Sequence, residues 1–237
     1  MIRSRPAFYA HTGTGLGDLV TLLHVPYTMW HLSYVAIGAA MAPRIDAWRL
    51  VGTLLAFVFG LGIGAHALDE LHDRPLSTRL SPRTLRMLGW GGLAAGGAIG
   101  IAASVVISPV ALAWAAAGVL LAAAYALEWS RRVHSTVGFA LAWGAFPVLV
   151  GYWAQTESLS LAVAVVAVAA AVFSTSQRAL STPARHVRRR VTGATAQVGE
   201  AHWDRSTLLA TWEHPLQLLA LAHVALAIGL LLTHLPG

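Results

Sequence analysis

The chain has 237 residues, 57% of them hydrophobic and 11% charged, with a net charge of +6 at neutral pH. Soluble domains carry about a quarter charged residues, so this composition and a mean hydropathy of +0.64 exclude an ordinary soluble domain and leave an integral membrane protein. There is no cysteine, which excludes disulfides and thiolate chemistry, and all sixteen basic residues are arginine. The positive charge lies between apolar spans, so it points to membrane orientation, anionic headgroups or a phosphate-bearing ligand rather than to nucleic acid.

Residues 1–18 are polar and rich in Gly and Thr, with no short apolar region and no small-residue cleavage site. They read as a cytoplasmic lead-in and not as a secretory signal. Seven segments then approach the roughly 20 apolar residues that a spanning helix needs. They cover 19–41, 50–68, 85–107, 110–129, 137–153, 159–180 and 216–235. The first is the least apolar, with His24, Pro26, Tyr27, His31 and Ser33 inside it. Ser108-Pro109 and residues 154–158 are tight connections between spans.

The stretch 181–215 is the longest polar loop and predicts one or two short interfacial helices, with Asp204 or Ser206 as a helix cap. Its Arg185 to Arg190 run is expected at lipid headgroups. Small residues in the second and third spans, from Gly60 to Gly100, allow close helix packing. There is no internal repeat, and 1–237 reads as a single all-α domain, a polytopic membrane helical bundle.

With the N-terminus inside, fourteen arginines fall on the inner side and only Arg44 and Arg49 on the outer side. The positive-inside rule therefore predicts a cytoplasmic N-terminus, and the arginine-only, Ala-rich composition predicts a bacterial inner membrane.

Asp69 and Asp73 stand four residues apart where the second apolar segment ends, so they share a helical face, with His66 and Glu70 on or near it. Like charges at this spacing repel, and carboxylates oppose the macrodipole at a helix C-terminus. A divalent metal or the following arginines, Arg74, Arg79, Arg83 and Arg86, would answer them. The bland alternative is solvated acids paired with those arginines, for which Glu70 and Arg74 are placed at the i,i+4 spacing.

This stretch, Ala65-His66-Ala-Leu-Asp69-Glu-Leu-His-Asp73-Arg74-Pro75-Leu-Ser-Thr-Arg79, resembles the UbiA-like superfamily of intramembrane prenyltransferases. That family carries an Asn-Asp-x-x-Asp-x-x-x-Asp motif at the end of its second helix, followed by a basic loop. Here the last two acids match, and Ala65 and His66 replace the first two positions. Tyr125 to Arg132 and the span from Gly138 to Tyr152 are similar to the family's aromatic, basic turn and its Gly/Pro-bearing fifth helix. Two features depart from the family. Residues 174–183 carry Arg178 and no carboxylate where a second acidic motif is expected, and seven spans are found where eight or nine are usual.

The resemblance implies transfer of a prenyl group from a polyprenyl diphosphate to a small acceptor. It implies Asp69 and Asp73 as Mg2+ ligands and catalytic residues, with His66, Arg74, Arg79, Tyr125, Arg131, Arg132 and Arg178 as substrate partners. Mg2+ suits one or two carboxylates completed by phosphate and water. Two alternatives stay open. One is a non-catalytic relative that binds a lipid or quinone-like molecule or serves in a membrane complex. The other is a redox protein ligated by His24, His31 or His66. The tryptophans, Trp48, Trp90, Trp129, Trp153 and Trp212 among them, are expected in interfacial belts.

Overall fold

The computed structural model describes residues 5–11, 15–198 and 201–235; Arg3 and Glu200 lie outside the described residues. The helices are α1 (Gly15–Leu22), α2 (Val25–Ala40), α3 (Ala47–Asp73), α4 (Pro82–Val106), α5 (Ala111–Ala126), α6 (Thr136–Thr156), α7 (Leu161–Arg190) and α8 (Arg205–Leu232). A short antiparallel hairpin, β1 (Thr195–Val198) with β2 (Ala201–Asp204), joins α7 to α8. Five of these helices, α3, α4, α6, α7 and α8, are long and apolar enough to cross a membrane. The shorter α2 and α5, of sixteen residues each, complete the bundle of about seven.

The first expected span is two helices. They break at His24, which caps α2 in the left-handed region at φ 46°. The low hydropathy of this segment has a packing explanation. α2 lies between α6 and α8, with Trp30, Tyr34 and Val35 almost wholly enclosed by protein, so few of its side chains meet lipid. At its crossing with α6, a Cβ on Gly38 would sit 2.1 Å from the Val148 carbonyl oxygen, and one on Gly151 would sit 2.1 Å from that of Val35. Two backbones approach this closely only where both helices carry no side chain. The expected glycine seam between α3 and α4 also forms, at Gly64, Gly92 and Gly96, whereas Gly60 and Gly91 face open space.

Helix starts follow the side chains available. Asp46 accepts from the Trp48 and Arg49 amides, Ser81 from Thr84 N–H, Ser135 from Gly138 N–H and Ser160 from Val163 N–H. α3 and α6 each contain a π-helical stretch, Val58–Ala65 and Leu141–Ala145, which no sequence periodicity announces.

The polar loop 181–215 corrects the expectation of short interfacial helices. α7 runs on through Pro183 to Arg190, and α8 starts at Arg205 and runs through Pro215. The exposed carbonyls that end α7 are met by Arg205, which donates to Val191 O at 2.8 Å and Arg188 O at 3.1 Å. Asp204 caps α8 as expected, accepting from Thr207 N–H at 2.8 Å and Ser206 Oγ at 2.6 Å. Those bonds, the Ser206 hydroxyl first, hold its carboxyl down at about 2. Trp153 also departs from the interfacial belt: it is buried, whereas Trp48, Trp90 and Trp129 are exposed.

At one end of the bundle Arg49 pairs with Glu157 at 3.0 Å, and His234 meets Ala40 O at 2.9 Å. The other end gathers residues 5–11, the 74–81 loop, the 127–135 turn and the end of α7 around a polar cavity.

Candidate functional site

The acidic motif sits on the last two turns of α3, immediately after its π-helical stretch. Glu70 does not pair with Arg74. Its carboxylate is fully buried and accepts from Leu76 N–H at 2.8 Å, Thr78 N–H at 2.8 Å and Thr78 Oγ1 at 2.9 Å. Glu70 thus folds the following loop onto the helix. Arg74, which closes α3 at φ 51°, turns away from the acids and donates to Thr78 O and Leu80 O. This arrangement corrects the expected pairing: loop backbone groups need partners, and both side chains supply them. Freed of these roles, Asp69 and Asp73 line a cavity of about 280 Å³. Neither forms an ion pair with an arginine among the described residues.

The floor of this cavity is aromatic and histidine-rich. His24 and His66 stack with ring centroids 4.1 Å apart and planes 12° from parallel. Tyr9 Oη lies 3.0 Å from His24 Nδ1, and His66 Nδ1 lies 3.2 Å from Gly62 O. His24 Nε2 is buried without a hydrogen-bond partner. His31 Nδ1 is held by the Trp143 carbonyl at 2.8 Å, an interhelical bond. Burial, reinforced by Tyr27, pushes the Tyr9 phenol well above its ordinary range, while Arg185 and Arg189 pull against that shift.

Tyr125, Glu128 and His134 line another side. Glu128, in the left-handed region at φ 51°, is 3.4 Å from His134, whose ring stacks on Tyr125 at 4.6 Å. The remaining wall is α7, which presents Gln177, Arg178, Ser181, Arg185 and Arg189. Arg178 donates to the Tyr125 hydroxyl, and its guanidinium lies 5.6 Å from the Phe139 ring centroid.

The structure therefore gathers Asp69, Asp73, His66, Tyr125 and Arg178 at one cavity. It does not bring Arg74, Arg79, Arg131 or Arg132 there: Arg79, Arg131 and Arg132 are exposed on their loops, and Arg74 is bonded to its own. Sequence reasoning missed Arg185 and Arg189, which were assigned to lipid headgroups. The spacing 178, 181, 185, 189 carries the signal, but only once α7 is known to continue through Pro183. Arg188, from the same run, faces the other way and pairs with Glu213 of α8 in a largely buried bridge.

Beside the polar cavity lies a larger apolar one of about 660 Å³ between α3, α4, α5 and α6. Gly52 and Gly60, where a Cβ would meet nothing within 4 Å, leave open space along it. Leu61 and Trp143 line both cavities. Each stands in one of the two π-helical stretches, so the widened turns set the boundary between polar and apolar space.

No protein-family model and no curated protein matches this sequence. Among solved structures, the fold is similar to that of a UbiA homologue from Archaeoglobus fulgidus bound to Cd2+. The two are 16% identical, with a TM-score of 0.57 over 90% of this chain and 76% of that one. At this identity the likeness is one of fold: the chain has a UbiA-like fold, built as a multi-pass membrane bundle.

Proposed function

We propose that this chain transfers a prenyl group from a polyprenyl diphosphate to a small acceptor. The observation that carries this reading is the amphiphilic void. A cavity of about 280 Å³ with carboxylates on α3 and guanidiniums on α7 adjoins an apolar cavity of about 660 Å³ across Leu61 and Trp143. An isoprenoid diphosphate has a compact anionic head and an apolar chain, which match these two spaces in charge and polarity.

Asp69 and Asp73 would hold one Mg2+ ion, as the spacing of two carboxylates on one helical face allows. The fit extends to one ion only, because α7 presents arginines to the cavity and no carboxylate. When bound, the ion would help neutralise the leaving diphosphate. The UbiA homologue similar in fold was captured with a divalent cation, Cd2+.

In the transfer, the allylic C–O bond breaks and its electron pair leaves with the diphosphate. The acceptor's nucleophilic atom bonds to the allylic carbon and releases a proton. Arg178, Arg185 and Arg189 stabilise the departing charge, since guanidinium forks match phosphate oxygens. With Nδ1–H donating to Tyr9 Oη, His24 would present an unpartnered Nε2 as the atom that takes the proton. Trp143, Phe139 and Leu61 exclude water from the electron-poor carbon.

We place the arginine-rich end in the cytoplasm of a bacterial inner membrane, following the distribution of arginines between the two ends. A second reading, a lipid- or quinone-binding relative without catalysis, draws on the lack of carboxylates at residues 174–183. The deciding experiment incubates the purified protein with isoprenyl diphosphates, Mg2+ and a panel of phenolic and quinone-precursor acceptors, and measures diphosphate release. Acceptor-dependent release supports transfer. No release, with a lipid co-purifying in stoichiometric amount, supports the second reading.

A further inference from the structure

α7 sorts its arginines by face. Arg188 turns to α8 and is neutralised by Glu213. Arg178, Arg185 and Arg189, at spacings of seven and four, turn to the cavity with Ser181 between them. None of the three forms an ion pair with a carboxylate among the described residues. Arg178 donates to the neutral Tyr125 hydroxyl, and Arg185 donates to Ser181 Oγ and Thr182 Oγ1, each at 3.4 Å. Gln177 Oε1, on the same wall, is buried without a partner.

Three like charges side by side on this wall, facing Asp69, Asp73 and Glu128 across the cavity, repel one another at low effective dielectric. A polyvalent anion relieves that repulsion, whereas a cation placed against the same wall adds to it. The α7 wall is therefore built for the anion itself and against a metal ion bridging to it. Guanidiniums are always charged and supply planar forks of donors, so this wall needs no loading before it binds.

We propose that Arg178, Arg185 and Arg189 grip the diphosphate directly, in the place of a second divalent ion, so that this chain binds diphosphate in the absence of any divalent metal. The inference rests on the reading of the cavity as a diphosphate site. The α3 acids then serve only the ion that assists bond cleavage, and binding and cleavage divide between the two walls. Metal dependence accordingly belongs to turnover and not to affinity.

The test is titration of the purified, detergent-solubilised protein with inorganic diphosphate, in EDTA and in Mg2+. It uses wild type, Arg185→Gln/Arg189→Gln, Arg185→Lys/Arg189→Lys and Asp69→Asn/Asp73→Asn, each checked for cooperative thermal unfolding. The expected result is binding in EDTA that the double Gln variant weakens about a hundredfold, taking about tenfold per charge-assisted contact. The Lys variant, which keeps charge but not the fork, recovers part of that loss, and the Asn variant, which removes two carboxylates that repel the anion across the same cavity, binds in EDTA more tightly than wild type. Binding that requires Mg2+ and ignores the Gln variant overturns the inference and leaves the prenyl-transfer reading standing. No binding in either condition overturns both. Displacement of diphosphate by phosphatidylglycerol in the micelle, but not by an isoprenyl diphosphate, assigns the arginines to a phospholipid headgroup and also overturns the inference.

Discussion

The ends of α3 and α7 border the same cavity with opposite charge. α3 brings Asp69 and Asp73, and α7 brings Arg178, Arg185 and Arg189. The two ends are also supported differently. α3 is held by a buried carboxylate, Glu70, that ties down the loop behind it. α7 is held by a largely buried ion pair, Arg188 with Glu213, and by Arg205 on its terminal carbonyls. The difference teaches that charge in this bundle is arranged by face: Glu70, Arg188 and Arg205, turned from the cavity, bind other parts of the protein, whereas Asp69, Asp73, Arg178, Arg185 and Arg189 line it without an ion pair among the described residues.

The comparison breaks most visibly at the acids. Asp69→Asn/Asp73→Asn should lower diphosphate release from an isoprenyl diphosphate by at least about a hundredfold, since charge stabilisation of a leaving group is worth that much or more. The protein should still fold, because neither side chain holds the structure together by an ion pair among the described residues. An Asn variant that keeps full turnover would remove the acidic wall from the chemistry.

Glu70→Ala tests the support behind the acids. It leaves three loop donors without their acceptor, at a cost of about 3 kcal/mol, read as a lower unfolding temperature in detergent. If Glu70→Ala were as stable as wild type, the loop would be held by other contacts. Glu213→Ala tests the support behind the arginines. It strips Arg188 of its counter-ion, with a smaller cost of about 2 kcal/mol because water reaches the 16%-exposed Arg188 side chain. Diphosphate affinity should change less than in variants of Arg185 or Arg189, and an equal loss would mean that the two faces of α7 are not independent.

The smallest effect concerns Asp204. Its carboxyl is held at about 2, below the ordinary 3.8, so its contribution to the start of α8 is fully present above pH 4 and is lost as pH falls toward 2. Asp204→Asn should remove this acid-side component of the stability profile. A profile unchanged by the substitution would place the acid sensitivity elsewhere.

Much of this was legible in order along the chain. The apolar lengths identified the long spans, the Asp69–Asp73 spacing put two acids on one face, and Asp204 was readable as a cap. Arg74 was not, because an arginine beside an acid reads as its partner, and only the path of the 74–81 loop shows that backbone carbonyls claim it. Arg185 and Arg189 were hidden by Pro183. A proline in a polar segment reads as a helix end, but α7 continues past it, and continuation decides which arginines share a face with Arg178.

The sequence by itself determined that this chain lives in a membrane, how many segments approach spanning length, and that two carboxylates lie together at the end of one of them. These follow from hydropathy and helical periodicity, which act within a segment. The tertiary structure alone decided that a wall of arginines borders the space those acids line. It also decided that α2 is enclosed by protein and that Leu61 and Trp143 divide polar from apolar space. Those outcomes depend on which faces of different helices meet, and on widened turns in α3 and α6 that local sequence patterns do not encode.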